Sequence, residues 1–440
     1  MTEDHIDSVG ARRVWDSRGR PTVEVEVYLN GGAYGRAIAP AGASTGQAEV
    51  VDRRDAGPDF GGYDVRQAVA SVNGEIADLL RGRPATDQQA LDLAMIELDG
   101  TPNRARLGGN ALVATSMALA HAAAAAHGLP LWRYLAQDAQ ADAASAGGRE
   151  FLLPLPEVQI FGGGAHAGRR VDVQDFMVIA VGASDYTQSL DWVAEVYRAA
   201  GDLMREAGLL QGVADEGGYW PAFESNESAL DHLLRAIERA GFTPGQDVAI
   251  SLDIAASDFA DAGRYRLARD GRTIDSDGLA EMLLGWLGRY PIVAIEDPLG
   301  ENDAHGMARF TQAAGKGVQI VADDFICTSA ARIEAAVAAG ACNTALIKPN
   351  QAGTLTEARR ALEAARSANW DSIVSARSGE TEDVTIVHLA VGWGVHQLKV
   401  GSFARSERMA KWNEGLRIAD ALQQAGGRLA PRYAFAWGRG

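Results

Sequence analysis

Residues 318–350 decide the fold: VQIVADDFICTSAARIEAAVAAGACNTALIKPN. The apolar runs at the two ends, VQIVADDF and TALIKPN, are typical of short strands that are buried on both faces. The stretch between them, SAARIEAAVAAG, has the pattern of a helix. The segment therefore predicts a strand–helix–strand unit, the building block of a parallel sheet.

The same pattern recurs on both sides of this segment. Four further apolar runs are VAISLDIAAS (248–257), PIVAIEDP (291–298), SIVSARSG (372–379) and HQLKVGS (396–402). Helical stretches such as DGLAEMLLGWLGRY and TLTEARRALEAARSA separate them, and after the first interval their spacing is that of a strand–helix unit. Six such units after some preceding structure predict an α/β fold with a (β/α)₈ barrel.

Each of the six predicted strands ends in a charged residue. In chain order these residues are Asp253, Glu296, Asp323, Lys348, Arg377 and Lys399. Solvation explains a single charged strand end, but three acids followed by three bases are harder to explain in that way. Because barrel active sites are built at the carboxyl ends of the strands, we expect all six side chains to surround one pocket.

The first part of the chain has a different pattern. TVEVEVYLN (22–30) alternates with period two, as a half-buried antiparallel strand does. DQQALDLAMIELDG and NALVATSMALAHAAAAAHG have helical periodicity, and QDAQADAASAGGRE has the composition of a linker. We therefore predict an N-terminal α+β capping domain over residues 1–138 and a catalytic barrel over residues 139–440.

Charge and composition exclude several classes of partner. The net charge of −17 argues against nucleic acid, whereas a local cation would still allow a small anionic substrate. The acidic N-terminus lacks a secretion signal, and SMALAHAAAAAHGLPL is too short and too weakly apolar to span a membrane. Cys327 and Cys342 give no disulfide framework and are expected in the core. We expect a soluble cytoplasmic protein.

The convergent charges indicate a reaction. Three carboxylates on adjacent strands form an oxygen-rich site for a hard divalent cation, for which Mg²⁺ is the best candidate. A lysine that is partly desolvated near a cation has a lowered pKa and can act as a base. The expected chemistry is metal-assisted removal of a proton beside a carboxylate, with Arg377 and Ser378 binding a further anion such as phosphate.

The chain is similar to the enolase family over nearly its whole length, because it contains many short motifs in the family's order along the sequence. They are DSRGRPTVEVEV, GASTG, LDGTPN, GGNA, HAG, DEGG, LDIAAS, IEDP, VADD, LIKPNQ, RSGETED, LKVGS and RSERMAKWN. The resemblance implies an enolase-like (β/α)₈ barrel with an N-terminal capping domain and two Mg²⁺ ions per active site. It also implies a small phosphorylated or phosphonylated carboxylic acid as substrate, and a homodimer or a larger homo-oligomer.

The resemblance also implies roles for individual residues. Asp253, Glu296 and Asp323 resemble the ligands of one Mg²⁺ ion. Lys348 resembles the base that removes the C2 proton, and Lys399 resembles the lysine that neutralises the substrate carboxylate. These five residues form the proton-abstraction side of the expected pocket.

The opposite side of the expected pocket handles the departing hydroxyl group. Glu216 in DEGG resembles the acid that assists its departure, and Asp175 occupies the position of a second catalytic acid. His166 in HAG resembles a loop histidine near the substrate, although a histidine among glycines is also a common plain loop residue. Ser44 lies in a glycine-flanked loop that resembles a lid and resembles the ligand of a second Mg²⁺ ion.

Some positions depart from the family pattern. Asp175 replaces the glutamate of QEFM and Ala376 replaces the histidine of SHRSGETED, both on the leaving-group side. Ala41, Ala48 and Val400 replace a serine, a histidine and a threonine. The leading hypothesis is a specialised paralogue resembling the carboxyphosphonoenolpyruvate synthases of phosphinate pathways, in which the space left by the histidine admits a bulkier group.

Two alternatives stay open. The chain is otherwise an ordinary phosphopyruvate hydratase, or a non-catalytic binding protein on an enolase fold. For some neighbouring charged residues the expectations are structural. Asp324 is a candidate N-cap of the following helix, Glu301 and Asp303 are expected to be solvated, and Arg405, Glu407 and Arg408 to form a charge network.

Overall fold

The computed structural model describes residues 3–141, 151–423, 428–430 and 435–438. Its N-terminal part is a three-stranded antiparallel sheet, in the order β1–β2–β3, followed by helices. The elements are β1 (Ile6–Trp15), β2 (Pro21–Leu29), β3 (Tyr34–Ile38), α1 (Arg66–Ser71), α2 (Ala77–Leu80), α3 (Gln88–Asp99), α4 (Gly109–Ala126) and α5 (Leu131–Ala141).

The alternating strand β2 forms the middle of this sheet. Its valines, Val23, Val25 and Val27, are fully buried and belong to the same core as the alanine-rich helix α4. At Gly35 in β3 a Cβ atom would lie 2.1 Å from the Ala118 carbonyl oxygen, so only glycine permits this close approach of sheet and helix. The sequence predicted a half-buried strand, but β2 is more deeply buried than that. Glu24, on the face opposite the valines, is also buried and forms an ion pair with Arg12.

The second part of the chain contains the barrel. Its strands are β4 (Leu152–Leu153), β5 (Leu155–Gly162), β6 (Asp175–Ile179), β7 (Ala249–Asp253), β8 (Ala260–Asp261), β9 (Arg264–Leu267), β10 (Arg272–Asp275), β11 (Ile292–Glu296), β12 (Gln319–Ala322), β13 (Thr344–Ile347), β14 (Asp371–Ser375), β15 (Gln397–Ser402) and β16 (Arg428–Leu429). Its helices are α6 (Tyr186–Glu206), α7 (Asn226–Arg239), α8 (Ser276–Arg289), α9 (Ala304–Ala314), α10 (Ala330–Ala339), α11 (Pro349–Ala352), α12 (Leu355–Ser367), α13 (Thr385–Trp393) and α14 (Ser406–Gln423).

Eight of these strands close into a barrel, in the order β5–β6–β7–β11–β12–β13–β14–β15. All six strands predicted from the apolar runs belong to it, from β7 onward, and the segment quoted first forms β12, α10 and β13. The prediction of an α/β barrel preceded by an α+β unit is therefore confirmed. Strands β8–β10 form a small separate sheet, and β4 pairs with β16.

One strand breaks the strict (β/α)₈ pattern. Strand β6 is antiparallel to both of its neighbours, whereas the other barrel pairs are parallel. The chain between β5 and β6 contains a 3₁₀ turn, Gly164–Ala167, but no helix that could carry it back across the barrel. Because β6 runs backwards, its first residue, Asp175, pairs with Asp253 and lies among the carboxyl ends of the other strands.

The predicted boundary between residues 138 and 139 falls within α5, and much of the predicted linker, residues 142–150, lies outside the described residues. The division therefore stays a prediction. Both cysteines are buried and free, as expected. Within the described ranges no single helix has the length and apolar composition to cross a membrane. The bent pair of α4 and Leu131–Gln137 meets that criterion by length and composition only.

Candidate active site

The predicted site residues converge at the carboxyl end of the barrel. One cavity is lined by all of them except Glu296, which is buried beside it. The lining members are Ser44, His166, Asp175, Glu216, Asp253, Asp323, Lys348, Arg377, Ser378 and Lys399. Their convergence follows from the barrel, since most of them lie at or after the carboxyl ends of strands or in loops at that end, and Asp175 begins the reversed strand β6 there.

Lys399 lies between two of the predicted metal ligands. Its Nζ atom is 2.8 Å from Asp253 Oδ2 and 2.8 Å from Glu296 Oε2, and Asp175 Oδ2 is 3.6 Å away. Burial lowers the pKa of Lys399, but the surrounding carboxylates outweigh it and hold that pKa well above its usual value. The ammonium group thus neutralises acids that were expected to bind a cation.

Lys348 forms a buried ion pair with Asp323. A lowered pKa was expected for this lysine next to a bound cation, whereas its charged partner in this structure is Asp323. Burial acts to lower the pKa, but the negative charge of Asp323 outweighs it and raises the pKa of Lys348. Lys348 can therefore act as a base only when another positive charge pairs with Asp323 in its place.

The leaving-group side of the pocket is a chain of polar contacts. His166 Nδ1 lies 3.1 Å from Asp175 Oδ1, while its Nε2 lies 3.0 Å from Ser378 Oγ and 3.7 Å from Glu216 Oε1. Despite its burial, the charges of Glu216 and Asp175 raise the pKa of His166 to about 9. This raised pKa favours the protonated form of His166, and its contacts make it part of the pocket rather than a plain loop residue.

Two glutamines that contact these residues were not identified as site residues from the sequence. Gln159 in β5 donates a hydrogen bond from Nε2 to Asp175 Oδ1, and Gln174 donates one of 3.0 Å to Asp253 Oδ2. Both side chains are buried. Gln159 could have been found from its place in a strand whose other residues are largely apolar, and Gln174 from its position next to Asp175.

The lid covers the predicted phosphate end. Arg377 Nη2 donates to the Ser44 carbonyl oxygen at 2.9 Å, and the guanidinium group pairs with Glu49, which the sequence did not single out. Ser44 Oγ lies 3.4 Å from Asp324 Oδ2. A Cβ atom at Gly42 would lie 2.0 Å from Arg377 Nη2, so glycine is needed where the lid meets the guanidinium group.

Three of the positions that depart from the family pattern, Asp175, Ala376 and Val400, line the same cavity. Ala376 is buried and lines it together with Val400. Ala41 exchanges two backbone hydrogen bonds of 2.9 Å with Gly379, so its side chain plays no part in that contact. Ala376 and Val400 are the two apolar side chains in a lining that otherwise consists of polar or charged residues and a glycine.

Some structural expectations need correction. Asp324 does not cap α10, since Ser329 precedes that helix. Instead it is buried with Asp297 and Asp323, whose carboxylate oxygens offer ligand atoms within 4.8 Å of one another. Burial together with the Asp323 charge raises the pKa of Asp324 to about 8. Nor are two other acids merely solvated. Glu301 accepts a hydrogen bond from the lid amide of Gln47 at 3.1 Å, and Asp303 caps α9.

The donor set fits a hard divalent cation. Three oxygens in the pocket region are buried and have no hydrogen-bond partner within the described structure, namely Glu296 Oε1, Gln174 Oε1 and Asp175 Oδ2. Leaving such atoms unpaired is costly, and carboxylate and amide oxygens are ligands that Mg²⁺ and Ca²⁺ prefer. A second group of ligand atoms within 4.8 Å of one another comes from His166, Asp175 and Glu216.

Fold and site together define an α/β-barrel protein with acids, lysines and an arginine facing one closed pocket. Residues 6–135 match the family model described as the enolase N-terminal domain, and residues 150–430 match the enolase C-terminal TIM barrel domain. The chain is also 47% identical over 420 residues to Enolase 1 of Desulfitobacterium hafniense (strain Y51), which covers 95% of this chain and 94% of that protein. The chain belongs to the enolase family. As a member it is an enzyme of the hydro-lyase class, which excludes the non-catalytic alternative.

Proposed function

We propose that this protein catalyses the ordinary enolase reaction, the dehydration of 2-phosphoglycerate to phosphoenolpyruvate. The observation that carries the proposal is that two connected sets of side chains line one cavity. In one set Lys348 pairs with Asp323. In the other, His166 contacts Asp175 and lies 3.7 Å from Glu216. A β-elimination requires a base and an acid within reach of the same substrate. The Enolase 1 relative supports the same reaction.

In the proposed complex, the charged ends of the substrate bind to different parts of the pocket. Arg377 and Ser378 bind the phosphate, because a guanidinium group donates paired hydrogen bonds to phosphate oxygens. Lys399 faces the substrate carboxylate. Asp253, Glu296 and Asp323 would hold one Mg²⁺ ion, and Ser44 would contribute to a second. Bound there, the metal would supply positive charge where negative charge builds up on the substrate carboxylate.

The protein's own groups then divide the reaction. Lys348 loses its raised pKa when Asp323 is engaged elsewhere, and burial then favours the neutral amine that accepts the C2 proton. Glu216, in its protonated form, donates the proton with which the hydroxyl group leaves as water. His166 lies 3.7 Å from Glu216 and next to Asp175, so it fixes the positions of both side chains.

The phosphonate hypothesis rested on Asp175 and Ala376. Asp175 keeps a carboxylate on the leaving-group side of the pocket, where it contacts His166 and Gln159. These contacts do not favour a bulkier phosphorus substituent, and a relative that matches nearly the whole chain is named as an enolase. A homodimer or larger assembly in the cytoplasm stays a prediction from the family resemblance.

The first test is to mix the purified protein with 2-phosphoglycerate and Mg²⁺ and to follow phosphoenolpyruvate by its ultraviolet absorbance. Rapid turnover that Lys348→Ala abolishes is the expected result. Binding of 2-phosphoglycerate in the presence of Mg²⁺ without turnover would overturn the proposal, and phosphonate analogues would then be assayed in the same way. Lys316→Ala, a change at an exposed lysine, is the matched control and should leave the rate unchanged.

A further inference from the structure

Gln159 connects two segments on the leaving-group side of the pocket that are far apart in the sequence. Its side chain is fully buried in β5. The amide Nε2 donates to Asp175 Oδ1, and the amide Oε1 accepts a hydrogen bond of 2.8 Å from the backbone N–H of Gly218. Gly218 belongs to the loop that carries Glu216. One amide group therefore joins the start of β6 to the Glu216 loop.

The amide group of Gln159 is closely packed by the backbone of two neighbouring segments. A Cβ atom at Gly218 would lie 2.4 Å from Gln159 Oε1, and one at Gly162 would lie 3.1 Å from the same atom. Both positions are glycine, so the loop and strand β5 approach the amide as closely as backbone permits. The side chain is thus confined to the one orientation in which both of its hydrogen bonds form.

The same contact orients the Asp175 carboxylate. Its Oδ1 accepts from Gln159 and lies 3.1 Å from His166 Nδ1, whereas its Oδ2 has no hydrogen-bond partner and lies 3.6 Å from Lys399 Nζ. Two contacts on one oxygen fix the rotation of the carboxylate and direct the other oxygen into the cavity. Without Gln159 only His166 would hold Oδ1.

We infer that Gln159 is a positioning residue for the leaving-group half of the reaction, because it fixes the Asp175 carboxylate relative to the loop that carries Glu216. This role rests on the proposed function. It is assigned to this half of the reaction because neither hydrogen bond found for Gln159 reaches Lys348 or one of the three carboxylates Asp253, Glu296 and Asp323. Loss of Gln159 should therefore separate the two halves of the reaction.

The test compares Gln159→Met with Gln319→Met. Methionine has nearly the same length as glutamine but neither donates nor accepts through an amide. Gln319 is also fully buried in a barrel strand, and its Nε2 donates to Asp371 Oδ2 at 3.1 Å, so the control loses the same kind of bond away from the site. Gln159→Asn is the second variant, since it keeps both polar atoms but shortens their reach by one methylene group.

Four quantities are measured: kcat and KM for 2-phosphoglycerate, exchange of its C2 proton in D₂O by NMR, and amide hydrogen exchange of residues 210–220. For Gln159→Met we expect kcat to fall about 10- to 100-fold, KM to stay within about twofold, and C2 exchange to persist. Gln159→Asn should fall between this variant and the wild type, and Gln319→Met should match the wild type in kcat.

Each result decides the inference. An unchanged kcat, or dehydration and C2 exchange that fall in proportion, would overturn it. The amide exchange readout does not depend on the reaction, because the Gly218 N–H loses its acceptor in Gln159→Met and should exchange faster. If the wild type fails to turn over 2-phosphoglycerate, the proposed function fails. Faster exchange at residues 210–220 would then still support the link between Gln159 and the loop that carries Glu216, and unchanged exchange would refute that link.

Discussion

Glu49 of the lid and Arg377 at the end of β14 form a two-pronged ion pair, with Oε2···Nη1 and Oε1···Nη2 distances of 3.1 Å each. Both side chains are buried. A carboxylate that engages both guanidinium nitrogens in this way occupies the hydrogen-bonding positions that a phosphate would use. If Arg377 binds the substrate phosphate as proposed, Glu49 and that phosphate compete for it.

This competition predicts that Glu49→Gln binds inorganic phosphate more tightly than the wild type. Removal of the carboxylate leaves the buried charge of Arg377 without its partner, a condition that an incoming anion relieves. We expect the Kd for phosphate, measured by calorimetry, to fall about tenfold, or about 1.4 kcal/mol. Glu301→Gln is the control, since Glu301 also binds the lid, through the Gln47 amide, but is not a partner of Arg377. A Kd that is unchanged or higher would contradict the competition.

A second prediction concerns Arg408, which was expected to be structural. Its buried guanidinium group donates to the carbonyl oxygens of Arg377 at 2.7 Å, Val400 at 2.8 Å and Ser378 at 2.6 Å. It thus holds the backbone from which the two predicted phosphate ligands project. Lysine cannot reproduce the planar fork that makes these three bonds.

For Arg408→Lys we expect the Kd for phosphate to rise at least about tenfold and the melting temperature to fall. Arg417→Lys provides the comparison, because Arg417 makes only an exposed pair with Glu414. A role confined to stability would lower the melting temperature of Arg408→Lys and leave phosphate binding by the folded protein unchanged. Binding measured well below the melting temperature separates these outcomes.

One feature of the sequence, a charged residue after each apolar run, predicted both the barrel and most of the pocket. In a barrel the ends of successive strands meet, so a charged residue after each apolar run is enough to place Asp253 and Lys399 together although they lie far apart in the chain. The reversal of β6 was not predictable from periodicity, because an apolar run looks the same in either direction. Asp175 therefore had to be placed by resemblance rather than by pattern.

The partners of these side chains were also beyond a sequence pattern. That Lys348 would pair with Asp323, and so have a raised rather than a lowered pKa, depends on the distance between neighbouring strand ends. Gln159 and Gly218 meet only because β5 and the Glu216 loop approach closely. Local sequence determines which face a residue occupies, whereas these contacts depend on how separate segments pack.

A third prediction tests whether the lengths of Gln159 and Asp175 are matched. Asp175→Glu extends the carboxylate by one methylene group toward Gln159 and His166, which already contact it, and should lower kcat about 10- to 100-fold. Gln159→Asn withdraws the amide by the same length. We expect the double variant to be more active than Asp175→Glu alone, with a coupling energy of about 1 kcal/mol from kcat/KM. Independent effects that simply add would contradict the match.

A fourth prediction concerns metal removal. If the acids near Lys399 hold Mg²⁺, the ion should raise the melting temperature by several degrees, corresponding to about 2.7 kcal/mol at a concentration 100 times Kd. Glu296→Gln should abolish this shift. Glu157→Gln should keep it, because Glu157 is equally buried in the barrel but is bonded to Ser251 and Gln397. A shift that persists in Glu296→Gln would remove this residue from the ligand set.

The last prediction concerns acid stability and involves His121 in α4. His121 Nε2 lies 2.9 Å from Thr385 Oγ1, and its ring faces His388 at a centroid distance of 6.1 Å. Burial lowers the pKa of His121 to about 4, because the charge of Asp383 offsets the effect of burial only in part, and His388 adds a smaller lowering. Because the pKa is lower in the folded state than the ordinary value near 6.5, the unfolded chain binds the proton first.

Stability from neutral His121 is therefore complete above about pH 6.5 and is lost as the pH falls toward 4. Between pH 7 and pH 4.5 we expect wild-type protein to lose about 2 kcal/mol more unfolding free energy than His121→Gln, whose amide can still bond Thr385 but does not titrate. Urea unfolding at the two pH values measures this difference. His127→Gln is the control, because His127 accompanies the same helix at its exposed end. Equal acid sensitivity of His121→Gln and wild type would show that His121 does not remain neutral in the folded protein.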